Sequence, residues 1–473
     1  MRTRPGILRA GIGVIALAAW LTACGGGHHP TTTTTRPTVT RGTAPARSQL
    51  TGAHPCPGQP GFSCSTLHVP LDHAAQTGGT LRLAVGVSTV KAAPRGVLLF
   101  LTGGPGQPGI PFLTRVQKRL RAALAGYRLV MFDQRGTGAG ALECPALQQA
   151  AGASDLTVVP EATVAGCARS IGAARRYYVT AETVADVDAL RSALGADRLT
   201  LDGVSYGTYV AERYALQYRT RVARVVLDSV VPQVGVDPTY RAALSASGRV
   251  LRSVCAARRC RWDPAADLSA VVNHLHDGPA LLDALVADSV VAPDYPGVID
   301  ALHAARAGRP AALEALVAGV ARGDSAPARF LSQGLHESTL CLELASPWDP
   351  AAPRSQRNAA LAGLAASTPE TDLYPFDRAT ATGNGLAKGC LGWPPTQPPA
   401  VPDGASTAEL PAVPILLLSG ERDLSTPLAW ARQEAAMAPA GQLLEVPGAG
   451  HSVQLRARDP DVLRTLGRFL MAS

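Results

Sequence analysis

Short stretches of uninterrupted apolar residues recur along the chain, at 97–101, 129–132 and 225–227, and again around Ile415, Leu416, Leu417 and Leu418 within 413–420. Runs of that length with no polar alternation predict strands buried on both faces, the habit of a parallel sheet. Mixed runs at 198–202 and 442–446 predict two more strands. Between these lie segments with a helical period: 208–218, and 459–470, where Leu463, Leu466, Phe469 and Leu470 share one face. Strands alternating with helices define an α/β chain with a mostly parallel central sheet flanked by helices. The stretch 234–410 breaks the alternation. It is rich in Ala and Leu at helical spacing, as at 268–285 and 299–320, with prolines between the segments. It predicts a helical cap, inserted between the sixth and seventh core strands and dividing a core of 54–233 and 411–473.

The chemistry gathers where predicted strands end. Gly203-Val204-Ser205-Tyr206-Gly207 lies between the strand at 198–202 and the helix at 208–218. That context predicts a strained strand-to-helix turn presenting the Ser205 hydroxyl, with glycines two residues either side because a larger side chain would meet the neighbouring elements. A serine needs a base to take its proton and an acid to orient the base. Asp423 follows the strand at 413–420, and His451 follows the strand at 442–446 in a glycine-containing loop. Asp228, also at the end of a strand, is the alternative acid; Asp423 is preferred because only a short strand-loop interval separates it from His451. The strand at 97–101 empties into Thr102-Gly103-Gly104-Pro105-Gly106, a loop able to aim an unshielded amide at a developing oxyanion. The amides of Gly104 and Tyr206 are the expected donors. No G-K-[ST] follows the glycines and no dinucleotide fingerprint is completed, which excludes nucleotide binding. Asp133 and Arg135, in Asp133-Gln134-Arg135-Gly136-Thr137-Gly138, are assigned to holding loops together rather than to catalysis.

Taken together, the Thr102–Gly106 loop, the Asp133–Gly138 stretch, Gly203-Val204-Ser205-Tyr206-Gly207-Thr208 and the Asp423 and His451 loops resemble the proline iminopeptidase and tripeptidyl aminopeptidase family of α/β-hydrolases, from about residue 50 to the end. The resemblance implies the α/β-hydrolase fold and hydrolysis at the free amino end of peptides through an acyl-enzyme on Ser205. Proline iminopeptidases usually carry histidine where this chain has Thr102, which favours the tripeptidyl branch. In related aminopeptidases acidic cap residues bind the substrate's ammonium group. Glu337 and Glu343 are the candidates here, Glu343 preferred because a bridge from Cys341 would pin it. Trp348 and Trp393 either line the cap or pack within it. An esterase or lipase acting on envelope lipids is the alternative activity, and a non-catalytic surface binding protein the alternative class.

The amino-terminal pattern assigns a compartment. Arg2, Arg4 and Arg9 precede an apolar run at 10–21 that is short for a membrane span. Residues 1–23 read as a signal peptide, and Leu21-Thr22-Ala23-Cys24 resembles a bacterial lipobox. Cys24 is then the lipidation site, anchoring the chain to the outer face of the bacterial cell membrane, with plain secretion as the alternative. Residues 24–53, polar and rich in Thr, Pro and Gly, read as a disordered tether that includes His28 and His29. Nine cysteines less Cys24 leave an even eight, suited to disulfides in an exported chain. Proximity and the family resemblance together select Cys56–Cys64, Cys144–Cys167, Cys255–Cys260 and Cys341–Cys390. No C-x-x-C pair or histidine partner has zinc spacing, so no metal and no cofactor is expected. The formal charge of +8 falls to +5 without the three leader arginines, and no lysine-rich cluster accompanies it, so the expected partners are a peptide substrate and the membrane, not nucleic acid. A monomer is expected.

Overall fold

The computed structural model describes residues 48–74, 77–323, 326–400 and 408–472. The signal peptide, Cys24 and the paired histidines of the tether lie outside the described residues. Nine strands form a single sheet: β1 Leu50–Pro55, β2 Phe62–Pro70, β3 Thr80–Ser88, β4 Val97–Leu101, β5 Arg128–Phe132, β6 Leu199–Val204, β7 Val222–Asp228, β8 Ile415–Gly420 and β9 Gly441–Val446. Their order is β1-β2-β3-β5-β4-β6-β7-β8-β9. The first three strands and the β3–β5 pair are antiparallel, and every pair from β5 to β9 is parallel.

The apolar runs form strands for the reason their composition suggests: β4, β6 and β8 are buried along their whole length. Successive residues serve opposite faces. Leu99, Leu201, Leu227 and Leu417 pack on one side with Val187, Leu190, Val210 and Tyr214 from the helices Thr180–Ala193 and Tyr206–Gln217. Leu98, Phe100, Val226 and Leu416 pack on the other with Leu113 and Val116 of Leu113–Arg119 and with Leu466 and Leu470 of Pro460–Met471. Parallel strands deliver all their carboxyl ends to one edge, so the loops after β4, β6, β7, β8 and β9 converge there.

Among the described residues between β7 and β8 the regular elements are all helices, with a hydrophobic core of their own around Leu244, Val250, Leu268, Leu282, Ile299 and Leu302. Counted without β1, this is the expected position between the sixth and seventh strands. Two boundaries differ from expectation. Residues 50–53, assigned to the tether, belong to β1 and pair with β2; the strand's side chains are almost all exposed, so no apolar pattern marks it. The helices Pro145–Ala151 and Glu161–Ile171, assigned to the core, pack beneath the cap instead: the Gln333 amide donates to Gln148 Oε1 at 3.0 Å, and Val164 and Cys167 share a cluster with Cys341, Cys390, Trp348 and Trp393. Both tryptophans are packing residues there, Trp393 being 1 % exposed. The eight cysteines of the described residues stand as Cys56–Cys64, Cys144–Cys167, Cys255–Cys260 and Cys341–Cys390. No described helix is long and apolar enough to cross a membrane.

Candidate active site

The turn after β6 is built around Ser205, whose φ of 57° and ψ of −129° lie where a residue with a side chain is strained. Its two glycines are required by space. A Cβ on Gly203 would stand 2.4 Å from the Gly207 carbonyl oxygen, and one on Gly207 would stand 2.3 Å from that of Leu101. The Ser205 amide donates to the Asp228 carbonyl at 2.9 Å, which ties the turn to the end of β7.

Asp423 and His451 meet from the two following loops. His451 Nδ1 lies 2.9 Å from Asp423 Oδ2. That carboxylate is itself held by the Ser425 and Thr426 amides, both at 2.9 Å on Oδ1, and by the Thr426 hydroxyl at 2.7 Å on Oδ2. It is fully buried, and His451 is 7 % exposed. Burial disfavours the imidazolium, but the charge and hydrogen bond of Asp423, with Asp228 behind, outweigh it and hold the His451 pKa above its ordinary value. Ser205 and His451 are not hydrogen-bonded to each other here, a contact that commonly tightens only when substrate is in place.

Asp228, the alternative acid, has a different place. Its Oδ1 accepts from the Val453 amide and its Oδ2 from the Gln454 amide, both at 2.9 Å, while the Ser452 amide donates to Ser229 Oγ at 2.8 Å. The residue that holds Ser205 by its carbonyl therefore holds the segment after His451 by its side chain. Burial pushes the Asp228 pKa up to about 6. The neighbouring Asp202, which accepts from Gln454 Nε2 at 2.7 Å, is pushed by burial to about 8.

The glycine loop after β4 lies against the nucleophile: a Cβ on Gly103 would come within 2.8 Å of Ser205 Cβ. Gly104 and Gly106 have φ of 109° and 116°, open to glycine alone. Thr102 supplies a support of its own, its hydroxyl donating to the Gln107 carbonyl at 2.8 Å, and Gln134 Nε2 donates to the Thr102 carbonyl at 3.2 Å. Gly104 is thus next to the residue that touches Ser205, and Tyr206, first in its helix, has an amide with no acceptor four residues back. Asp133 and Arg135 are scaffolding. Asp133 Oδ1 accepts the Gly109 and Ile110 amides at 2.9 Å each, and fully buried Arg135 pairs with Asp186 through two nitrogens at 2.8 and 2.7 Å.

The two cap glutamates sit on the helix Gln333–Glu343, whose start is pressed on the glycine loop: the Ser332 amide donates to the Gly106 carbonyl at 3.0 Å, and His336 Nδ1 lies 3.1 Å from the Pro105 carbonyl. The preference for Glu343 is reversed by its contacts. Both its oxygens are taken by Thr180, from the amide at 2.5 Å and from the hydroxyl, which also meets the Tyr206 hydroxyl at 2.6 Å. Glu337 lies 3.2 Å from Cys341 Sγ, and that sulfur, bonded to Cys390, has no proton to give and no thiolate to offer a metal. Its carboxylate is without a donor among the described residues. Burial, reinforced by Asp155, pushes its pKa to about 7 against the opposing charge of His336, whose Nε2 lies 3.4 Å from Asp155 Oδ1. Asp155 and His336 carry no local motif that would mark either as a site residue.

A strained serine turn on a parallel sheet, with aspartate and histidine on the next two strand ends, defines an α/β hydrolase. Residues 96–246 match the family described as alpha/beta hydrolase fold, and 374–472 the family described as TAP-like protein. The chain is an α/β hydrolase, and its motif resemblance to the proline iminopeptidase and tripeptidyl aminopeptidase family is met by these matches. It is similar to the tripeptidyl aminopeptidase of Streptomyces lividans, 32% identical over an alignment of 190 residues that covers 36% of this chain and 35% of the relative. It is also similar to the serine protease Hip1 of Mycobacterium tuberculosis, 30% identical over 188 residues, 36% of each. The chain thus spans about a third of the length of the curated relatives it matches. The solved proline iminopeptidase of Mycobacterium smegmatis aligns over 86% of this chain and 97% of its own, at 15% identity and a TM-score of 0.39.

Proposed function

We propose that the chain is an extracytoplasmic serine aminopeptidase that releases short peptides or residues from the free amino end of peptides. His451 takes the proton of Ser205 as the hydroxyl attacks the peptide carbonyl, Asp423 fixes the imidazole's tautomer, and the Gly104 and Tyr206 amides face the oxyanion. Nitrogen of the leaving amine collects the proton from His451, and water then frees the acyl group by the same relay. The observation that carries the reading is the acid helix against the glycine loop. Glu337 has no donor among the described residues and is under the influence of Asp155, so a substrate ammonium would bring it the hydrogen-bond donor that the surrounding side chains do not supply. Two of the related proteins are named a tripeptidyl aminopeptidase and a serine protease, which supports peptides over lipids. Four disulfides support maturation in an oxidising compartment, and the lipobox at Cys24 supports a membrane anchor there.

A fluorophosphonate probe should label the folded protein and fail to label Ser205→Ala. Matched peptides with free and acetylated amino ends should then differ by roughly a hundredfold in kcat/KM, and Glu337→Gln should reduce that ratio about tenfold or more, the loss of a charge-assisted contact. Equal turnover of both peptides, with faster cleavage of short acyl esters, would leave an esterase in place of the peptidase. Release of the chain into the medium by Cys24→Ser tests the anchor; an unchanged membrane fraction refutes it.

A further inference from the structure

The imidazole that takes the serine's proton returns it to the leaving nitrogen, so the segment being released passes His451. A cleft of about 580 Å³ is lined by His451 itself together with Pro293, Asp294, Gly448, Arg456 and Arg458. Both carboxylates in its lining are engaged: Asp294 Oδ1 takes Arg422 Nη1 at 2.9 Å and Oδ2 lies 3.8 Å from Arg458, while Asp459 Oδ1 accepts the Asp461 amide at 2.8 Å. Arg456 is different. Its guanidinium has no hydrogen bond or ion pair among the described residues, and its nearest charged influence is another arginine, Arg115, from the helix that follows the glycine loop. Arg456 reaches solvent, yet the cleft wall strips part of its hydration, and that loss, together with the Arg115 charge, holds its pKa below the ordinary value. An unpaired guanidinium in the wall of a cleft that reaches the catalytic base makes a site lacking its anion, and a planar fork of donors matches a carboxylate well.

We propose that this cleft is a carboxylate subsite for the departing segment, with Arg456 as its principal ligand and Arg115 and Arg458 adding positive charge around it. The proposal rests on the aminopeptidase reading above. It assigns a role to the part of the substrate beyond the cut bond: short peptides whose own carboxyl end falls in the cleft are bound by both ends, the ammonium at Glu337 and the carboxylate at Arg456. An acidic side chain on the released segment offers the same chemistry from another source.

The test uses unblocked peptides sharing one acyl segment and differing only after the cut: a free carboxyl end, the corresponding amide, and an amide carrying a glutamate. The free acid should exceed the neutral amide in kcat/KM by roughly five- to tenfold, the range for a partly solvated charge pair, and added salt should shrink the ratio. Arg456→Gln should bring the ratio to about one, and Arg456→Lys should keep part of it. A preference shown by the glutamate amide instead identifies the side chain as the source. A ratio near one for both acidic peptides in the unaltered protein, or one untouched by Arg456→Gln, overturns the subsite while leaving the aminopeptidase reading intact. If no unblocked peptide is cleaved although Ser205 still takes the probe, the aminopeptidase reading falls. The same comparison with acyl esters of acidic and neutral alcohols then decides the subsite by the same ratio.

Discussion

Replacing Asp228 by asparagine tests whether one residue aligns the nucleophile and the base. The backbone carbonyl that receives the Ser205 amide is unchanged, so the serine turn keeps its tie. The side chain loses an acceptor. In the protein Oδ1 receives the Val453 amide and Oδ2 the Gln454 amide, and an asparagine can accept only one of them, turning its own N–H groups toward the other. One buried amide is left opposed, at a cost of about 1–3 kcal/mol, taken up by a shift of the segment that carries His451. If that shift is felt fully in the transition state, the rate falls roughly ten- to hundredfold. A second effect has a definite sign. The Asp228 charge helps raise the His451 pKa, so its removal lowers that pKa and moves the acid limb of the rate profile to lower pH. The assay is the second-order rate of fluorophosphonate labelling across about pH 5 to 9, which reads the serine and its base without peptide recognition. A purely structural role would slow labelling without moving the limb. A rate within about twofold of the parent, with the limb unmoved, would refute the reasoning.

Gly207→Ala should yield little folded protein, or a melting temperature well below the parent's, because its Cβ would stand 2.3 Å from the Leu101 carbonyl oxygen with backbone on both sides. In the unaltered protein kcat/KM should fall as pH drops through a pKa above 6.5, since the base must be neutral and the pair with Asp423 holds its proton on; a limb at or below 6.5 contradicts the burial and pairing described. Arg135→Met should cost about 3–5 kcal/mol in a denaturant melt, because it leaves the fully buried Asp186 carboxylate without its bidentate partner; a loss under about 1 kcal/mol would show that His73, 2.7 Å from the same carboxylate, suffices.

Strands β4 and β8 were legible because both their faces are buried, which leaves an unbroken apolar run in the sequence; β6 is buried as fully but carries Thr200 and Asp202 and reads as a mixed run. The order of Ser205, Asp423 and His451 was legible because each follows a strand-length run, apolar before Asp423 and mixed before Ser205 and His451, and parallel strands leave no choice about which edge their loops share. Strand β1 was hidden by the opposite circumstance: paired at the sheet's rim, it exposes most of its side chains and its composition continues that of the segment before it. Sequence favours Glu343 as ammonium ligand because its neighbour Cys341 is close in the chain. Its real partner, Thr180, is far away in sequence and arrives through packing of the helix Thr180–Ala193. Asp228 looked like a rival to Asp423 for a sound reason, since both end strands. What separates them is which atoms meet them, an imidazole nitrogen for one and two backbone amides for the other.

The cap leaves the sheet after Asp228 and returns at Ile415 into the strand beside the one it left, with Val225 opposite Ile415 and Asp228 opposite Leu418. Its entry at Asp228 and its exit at Ile415 therefore lie on adjacent strands, about 4.8 Å apart across the sheet and offset by three residues, about 10 Å, along it. An excursion closed in this way can be lengthened, shortened or exchanged wholesale without altering the register of the strands that hold the reacting groups. Caps from other members of the fold should be transplantable at this one seam, and evolution has had the same freedom: new diets for an old reaction, gained by rewriting a detachable passage of the chain.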